Sequence, residues 1–409
     1  MNVRALRAVL FIAHRYPPEN TSSAPRPFHF AKYLPQCGYR AHVISRSGVT
    51  DPDKSDNVER VPAEITFLSK LRTRVISRLA PYSADELPWV SHATTAGLAT
   101  CSRIPFAGIF STGMLANHLA AAAIQRRTGL KWIADFQDPL LDNPFRWKKW
   151  VRPWDTRMER RVFRHANYLI ANTEQVAEVW RKRYPQWKSK VDVIMTGYDP
   201  EDSVEALPLP QRPYQIILHA GALYGGRRPT TYLQTLRRLV ETGTLPADRI
   251  RAQFVGEVSP DTLVGVEDTI QWLEERNLLE FIPRMDRADA RRRMANADRL
   301  LLLDLNDAGT GLQLPAKLID YLRIGRPILA YSIRNSAVDH LLPRCDVPYR
   351  VIYTDDPLEI KDRKMLEFLA TPTQPVSPGT WFLSEFDVRA QVARLARMLD
   401  QPARESQTE

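Results

Sequence analysis

The sequence predicts an α/β protein built as two successive Rossmann-like halves, and three observations carry that prediction. Short apolar runs alternate with stretches of helical spacing from Arg7 to Leu399, the pattern of parallel strands joined by crossover helices. An acidic, proline-rich stretch without periodicity, Asp199–Pro213, interrupts the alternation, which then restarts. The 409 residues exceed what a single core usually holds and suit two domains of about 200 residues each.

In the first half, Arg7–Ala13 reads as a buried strand, Arg15–Asn20 as the loop after it, Pro27–Leu34 as a helix and Ala41–Ser45 as a second strand. Ligands of parallel sheets bind beyond the carboxyl ends of strands, which turns the loop from His14 to Arg26 toward a crevice. Gly48–Pro62 is polar and irregular, and Lys70–Ala80 is basic with apolar residues at helical spacing. Phe106–Phe110 is a strand, Ser111–Gly113 its exit, Leu115–Arg126 an alanine-rich helix and Lys131–Asp135 the next strand. Asp135 and Asp138 therefore stand at a strand end, as catalytic carboxylates or, for Asp138 before Pro139, as a turn cap. Arg146–His165 sets eight Arg/Lys against two acids, with Trp147, Trp150 and Trp154 interleaved. That composition fits an element lying on an anionic membrane or touching nucleic acid, and equally a solvated basic helix with tryptophans in the core. Tyr168–Ala171 and Val191–Ile194 are further strands around the helix Glu174–Tyr184.

In the second half the strands are Gln215–His219, Arg251–Val255, Glu280–Ile282, Leu300–Leu303, Ile328–Ala330 and Tyr349–Ile352. Helices fall at Thr230–Thr242, Glu267–Arg276, Arg287–Ala295, after Pro315, and at Ala337–Leu341. Phe386–Leu399 is an amphipathic final helix.

Fifty-seven basic against 47 acidic residues give a net charge of +10, which favours an anionic partner. Cys37, Cys101 and Cys345 have no ligand-like spacing, so neither zinc nor a disulfide framework is expected. No run approaches the ~18 apolar residues of a membrane span. The apolar run within residues 1–14 is short and lacks a cleavage site, so it reads as the first strand and the protein as cytoplasmic.

The chemistry concentrates between Gly309 and Tyr331. Pro315 suits a first helical position and Gly325 the residue just past the end. Lys317 is then a cation at the positive end of a helix, unfavourable by about 0.3–1 kcal/mol unless an anion binds there. Asp320, three residues on, shares its face. Together they could hold a diphosphate and a sugar hydroxyl, or form a plain surface pair. The loop Gly221–Pro229 follows a strand and opens a helix, with glycines for close approach and Arg227 and Arg228 to pair with phosphate oxygens.

At this point the chain resembles a family. ILHAGALYGGRRP and LPAKLIDYLRIGRPILA look like the two donor-binding segments of the family-four glycosyltransferases of GT-B fold. FIAHRYPPEN, IADFQDPLLDNPF, FRHANYLIANT and VIMTGYDPED support the likeness in the right order, to about residue 335. The resemblance implies two Rossmann-like domains facing a central cleft: 1–198 for the acceptor, a linker 199–213, and 214–382 for the nucleotide sugar. Residues 383–409 would carry the last helix back to the first domain, plus a polar tail. It implies transfer from a UDP- or GDP-sugar to a hydroxyl of a glycan or lipid-linked glycan, with retention and no obligatory metal or cofactor.

Residue by residue, Gly221 with Arg227 or Arg228 matches the first phosphate-binding loop, Lys317 the lysine of the second, and Asp320 the acid on the nucleotide ribose. Thr310, Gly311 and Leu312 fall beside the donor sugar. The chain departs from the family at Leu312, where a glutamate is common, at Thr21–Ala24 in place of a Gly-Gly, and at Thr196 in place of an Asn. The family's base is less fixed than its donor site; the candidates in this sequence are Asp138 first, then Asp135, then His118 near the start of a helix of the first domain. Asp51-Pro52-Asp53 resembles a metal-binding aspartate pair of some sugar transferases, yet its proline-broken loop lies away from any strand end, so no metal is expected. The rival readings are a non-catalytic nucleotide-sugar-binding protein that supports a partner, and a nucleotide-sugar epimerase. Nucleic acid is not expected as a partner, because the basic stretch belongs to no recognised module.

Overall fold

The computed structural model of the protein describes residues 5–19, 21–47, 57–63, 86–143, 149–202, 204–305 and 311–404. Asp51–Asp53, Lys70–Ala80, Arg146–Lys148 and Gly309–Thr310 lie outside the described residues. The chain divides into two compact units, Met1–Asp199 with Phe386–Glu409, and Pro200–Glu385.

In the first unit, β1 (Arg7–Ile12), α1 (Pro25–Tyr33), β2 (Tyr39–Arg46), β3 (Val58–Val61), α2 (Glu86–Cys101), β4 (Phe106–Thr112) and α3 (Leu115–Thr128) come first. They are followed by β5 (Trp132–Phe136), α4 (Arg152–His165), β6 (Tyr168–Ala171), α5 (Glu174–Arg183) and β7 (Val191–Val193). The sheet is parallel throughout, in the order β3-β2-β1-β4-β5-β6-β7. β1 sits between β2 and β4, with Phe11 opposite Val43 on one side and Phe110 on the other. Burial on both faces explains why Ala8–Ile12 and all of β5 are closed to solvent, and why they read as unbroken apolar runs. The chain leaves β1 toward one side and β4 toward the other, which opens a switch point at their carboxyl ends.

The second unit repeats the plan. It holds β8 (Gln215–Ala220), α6 (Thr230–Glu241), β9 (Ile250–Val255), α7 (Glu267–Glu274), β10 (Leu279–Ile282), α8 (Arg287–Ala295) and β11 (Arg299–Leu303). After them come α9 (Lys317–Ile324), β12 (Ile328–Ser332), α10 (Ala337–Leu341), β13 (Tyr349–Tyr353), α11 (Leu358–Ala370) and α12 (Thr380–Glu385). The parallel order is β10-β9-β8-β11-β12-β13, so this switch point lies between β8 and β11. The stretch expected as a linker, 199–213, makes hydrogen bonds within this unit: Leu207 N donates to Ala295 O, and Arg326 donates to Leu207 O.

The last helix, α13 (Val388–Asp400), belongs to the first unit. Val388, Val392, Leu395 and Leu399 join the core of Val9, Phe11, Phe30 and Tyr33. Asp387 caps its start through Arg389 N at 2.8 Å, and Lys131 Nζ meets the terminal carbonyls of Leu399 (2.6 Å) and Met398 (3.3 Å). Gly197 makes room for the returning chain: a Cβ there would lie 2.5 Å from Phe386 O.

Four elements escaped the sequence reading, among them the six-residue α12. β3 spans only four residues. α2 is rich in Ala and Thr and has no marked apolar stripe. In α11 the buried stripe is thin, Met365 and Phe368.

Candidate functional site

In the second unit, β8 ends at Ala220 and the chain turns at Gly221, whose φ of +118° suits glycine. A Cβ on Gly221 would lie 2.6 Å from Lys317 Nζ, so the bare backbone is what admits the lysine. Lys317 opens α9 and reaches back over the end of β8, where its Nζ lies 2.9 Å from His219 Nε2. Burial, with the Arg227 guanidinium nearby, pulls the Lys317 amine well below the ordinary lysine range, and Asp304 only partly opposes this. Burial likewise pulls His219 well down, reinforced by Lys317. Among the described residues neither Lys317 nor Arg227 forms an ion pair with a carboxylate, and Arg227 Nε has no partner. Arg227 also lies 5.1 Å from the Tyr224 ring. Lys317 thus packs on Gly221, with the charge of Arg227 within electrostatic reach of it.

Arg228, the other arginine of the loop, is exposed, and the charge cluster is formed by Arg227. Asp304, at the exit of β11, is a site residue the sequence reading missed. Burial raises its carboxyl to about 6, countered by hydrogen bonds from Ser332 Oγ (2.7 Å) and Leu305 N (2.8 Å) and by the charges of Arg227 and Lys317. Asp320 is not paired with Lys317. Its carboxylate is held by Arg291 (3.1 and 3.4 Å), which also binds Asp202 at 3.0 Å. Gly311 accepts from Ala337 N at 2.7 Å, and a Cβ on it would press within 2.8 Å of Ser336 Cβ. Leu312 is half-buried beside it, and Thr310 falls outside the described residues.

In the first unit, Asp138 is exposed and lines a cavity of about 300 Å³ at the carboxyl ends of β4 and β5, with Ser22, Ser23, Gly113, Gln137 and Asn143. The other two candidate bases are committed elsewhere. Asp135 is wholly buried and gripped by Arg26, with Nε to Oδ2 at 2.8 Å and Nη2 to Oδ1 at 2.7 Å, while Thr112 Oγ1 donates to Oδ2 at 2.5 Å. Arg26 also donates to the carbonyls of Ile194 (2.8 Å) and Met195 (2.9 Å). It thereby ties the start of α1 to the edge of the sheet. Asp135 therefore has no free oxygen facing the cavity, and it serves as an anchor.

His118 is also wholly buried, stacked 4.2 Å from the Phe136 ring, with Nδ1 2.8 Å from Ser111 Oγ. Burial pushes its pKa down to about 4, against the pull of Asp135. A histidine so depressed loses its stabilising share as pH falls, because the unfolded chain takes the proton from about 6.5 downward and the folded one resists until about 4. The loss should reach about 3 kcal/mol by pH 4. A His118→Gln variant is expected to show a correspondingly smaller drop in urea midpoint between pH 7 and pH 4.5 than the parent; an equal drop would show that His118 does not titrate in this way.

Residues 28–202 match the family model described as Glycosyltransferase Family 4. Solved structures resemble the whole chain. Sucrose-phosphate synthase from Thermosynechococcus elongatus is 13% identical with a TM-score of 0.64, covering 97% of this chain and 99% of that one. A lipopolysaccharide outer core galactosyltransferase is 12% identical with a TM-score of 0.62, covering 96% and 100%. UDP-GlcNAc 2-epimerase from Methanocaldococcus jannaschii is 10% identical with a TM-score of 0.56, covering 97% and 99%. At such identities the likeness is one of fold, and that fold is GT-B. No curated protein sequence matches the chain.

Proposed function

We propose, from the premise that the first unit is a Glycosyltransferase Family 4 domain, that this protein transfers a sugar from a nucleotide diphosphate sugar to a hydroxyl acceptor with retention of configuration. The observation that carries the reading is Lys317 over Gly221 with the charge of Arg227 acting on it, neither in an ion pair with a carboxylate among the described residues. Charge develops on the leaving diphosphate as the glycosidic bond breaks, and fixed cations placed there lower the barrier. A UDP or GDP diphosphate supplies the missing counter-charge. The leaving phosphate can itself assist the acceptor proton, and Asp138, exposed in its cavity, is the side chain we assign as base if one is used. Gly311 and Leu312 are assigned to the donor sugar and Asp320 to the ribose; for Asp320 this requires that Arg291 share its carboxylate. No metal or cofactor enters this scheme.

The test is a thermal-shift screen of UDP, GDP and their sugars, followed by release of the nucleotide with and without glycan acceptors. Binding to the folded state raises the melting temperature by mass action, so the cognate donor should raise it and the other nucleotide should not. A flat screen would remove the donor reading. Product formed from the donor without any acceptor would favour the epimerase alternative, whose fold is shared. Donor binding without turnover would favour a supporting, non-catalytic protein.

We further assign α4 as the face that meets an anionic membrane carrying a lipid-linked acceptor. Its two acids, Asp155 and Glu159, are buried, while Arg152, Arg157, Arg160, Arg161 and Arg164 are exposed. Trp150 and Trp154 are exposed at its start rather than packed in the core. Among the described residues no helix is long and apolar enough to cross a membrane. Binding to phosphatidylglycerol vesicles at low salt, lost at high salt, is expected; no binding at low salt would remove this role.

A further inference from the structure

Lys317 carries its charge on a flexible four-carbon stem, so its position depends on whatever grips the ammonium. The grip is an imidazole. His219 Nδ1 lies 2.9 Å from the carbonyl oxygen of Leu301, which can only accept, so Nδ1 carries the ring proton. Nε2 is then a lone pair, and it accepts from Lys317 Nζ at 2.9 Å. The ring cannot swing, because it is wholly buried on β8 with Phe254 at 5.7 Å. Tyr321 Oη braces the same spot, donating to Leu301 O at 3.2 Å and accepting from Ala220 N at 2.8 Å.

A neutral acceptor differs from a carboxylate in one respect that matters here. It orients the ammonium without cancelling its charge, and it leaves the remaining N–H groups for an anion. We propose that His219 is a positioning residue of the donor site, whose Nε2 holds Lys317 over Gly221 with its charge available, and that it thereby sets affinity for the diphosphate. This role rests on the diphosphate-donor reading above. No motif pointed to His219, since a histidine inside a buried strand reads as core.

The test is calorimetric titration of UDP, GDP and inorganic pyrophosphate into the full chain and its His219→Gln, His219→Leu and His219→Glu variants, with melting temperatures measured alongside. Glutamine keeps an acceptor oxygen and should bind within about threefold of the parent. Leucine removes the acceptor and should weaken binding by about tenfold or more, the usual size for a hydrogen bond to a charged group. Glutamate supplies a counter-charge and should weaken binding most while melting no lower than the leucine variant. Affinity that simply follows melting temperature across the three variants, or that is unchanged in all of them, would overturn the role of His219 and leave the donor reading standing. Failure of the parent to bind any of the three probes would overturn the donor reading and this role with it.

Discussion

Lys317→Met is expected to raise the melting temperature and to cut transfer turnover by about 10²–10³-fold. The two effects have one origin. In the folded protein burial and Arg227 hold the Lys317 amine well below its ordinary range, whereas in the unfolded chain it titrates near 10.4. A lysine depressed in this way weakens the folded state at every pH where the unfolded chain would be charged, neutral pH included. Methionine keeps the length and apolar stem and removes that cost. The same substitution removes a cation from the place where leaving-group charge grows, and one such donor contributes about 2.7–4 kcal/mol to the barrier. Sites of this kind hold strain that function requires. Melting curves and a nucleotide-release assay on the same preparation check both halves. Turnover equal to the parent would end the assignment of Lys317 to the donor phosphates.

The second large effect is on stability. Asp135→Asn leaves the buried Arg26 guanidinium facing an amide that cannot balance it; both side chains are almost wholly buried. Breaking one partner of such a pair costs about 3–5 kcal/mol. At roughly 2–4 °C per kcal/mol for a unit of this size, the melting temperature should fall by about 10 °C. Joint replacement, Arg26→Met with Asp135→Leu, should recover much of the loss, because well-packed apolar groups often match a buried ion pair. An Asp135→Asn protein that melted normally but had lost turnover would instead restore Asp135 as the base.

These expectations mark how far the residue order alone could reach. Most strands were legible because parallel strands covered on both faces are continuous apolar runs. Lys317 and Gly221 were legible because a cation at a helix start and a glycine after a strand are each locally odd. Their immediate partners were not. Lys317 meets His219 from 98 positions away, and Asp135 meets Arg26 from 109. Asp135 ends a strand and Asp138 precedes a proline, but neither cue reveals that Asp135 is buried as an anchor while Asp138 lines the cavity. Asp304 gave no signal for the same reason, and Asp320 looked available because Arg291 lies in a different helix.

The placement of α13 has a consequence for synthesis. Pro200–Glu385 is one continuous stretch, so on the ribosome it can finish folding as soon as it emerges. The earlier-made unit must wait, with the surface around Val9, Phe11 and Phe30 uncovered, until Val388–Asp400 is translated. The portion made first is thus completed last, and a premature stop within α13 would damage the half of the protein that lies farthest from it in the message.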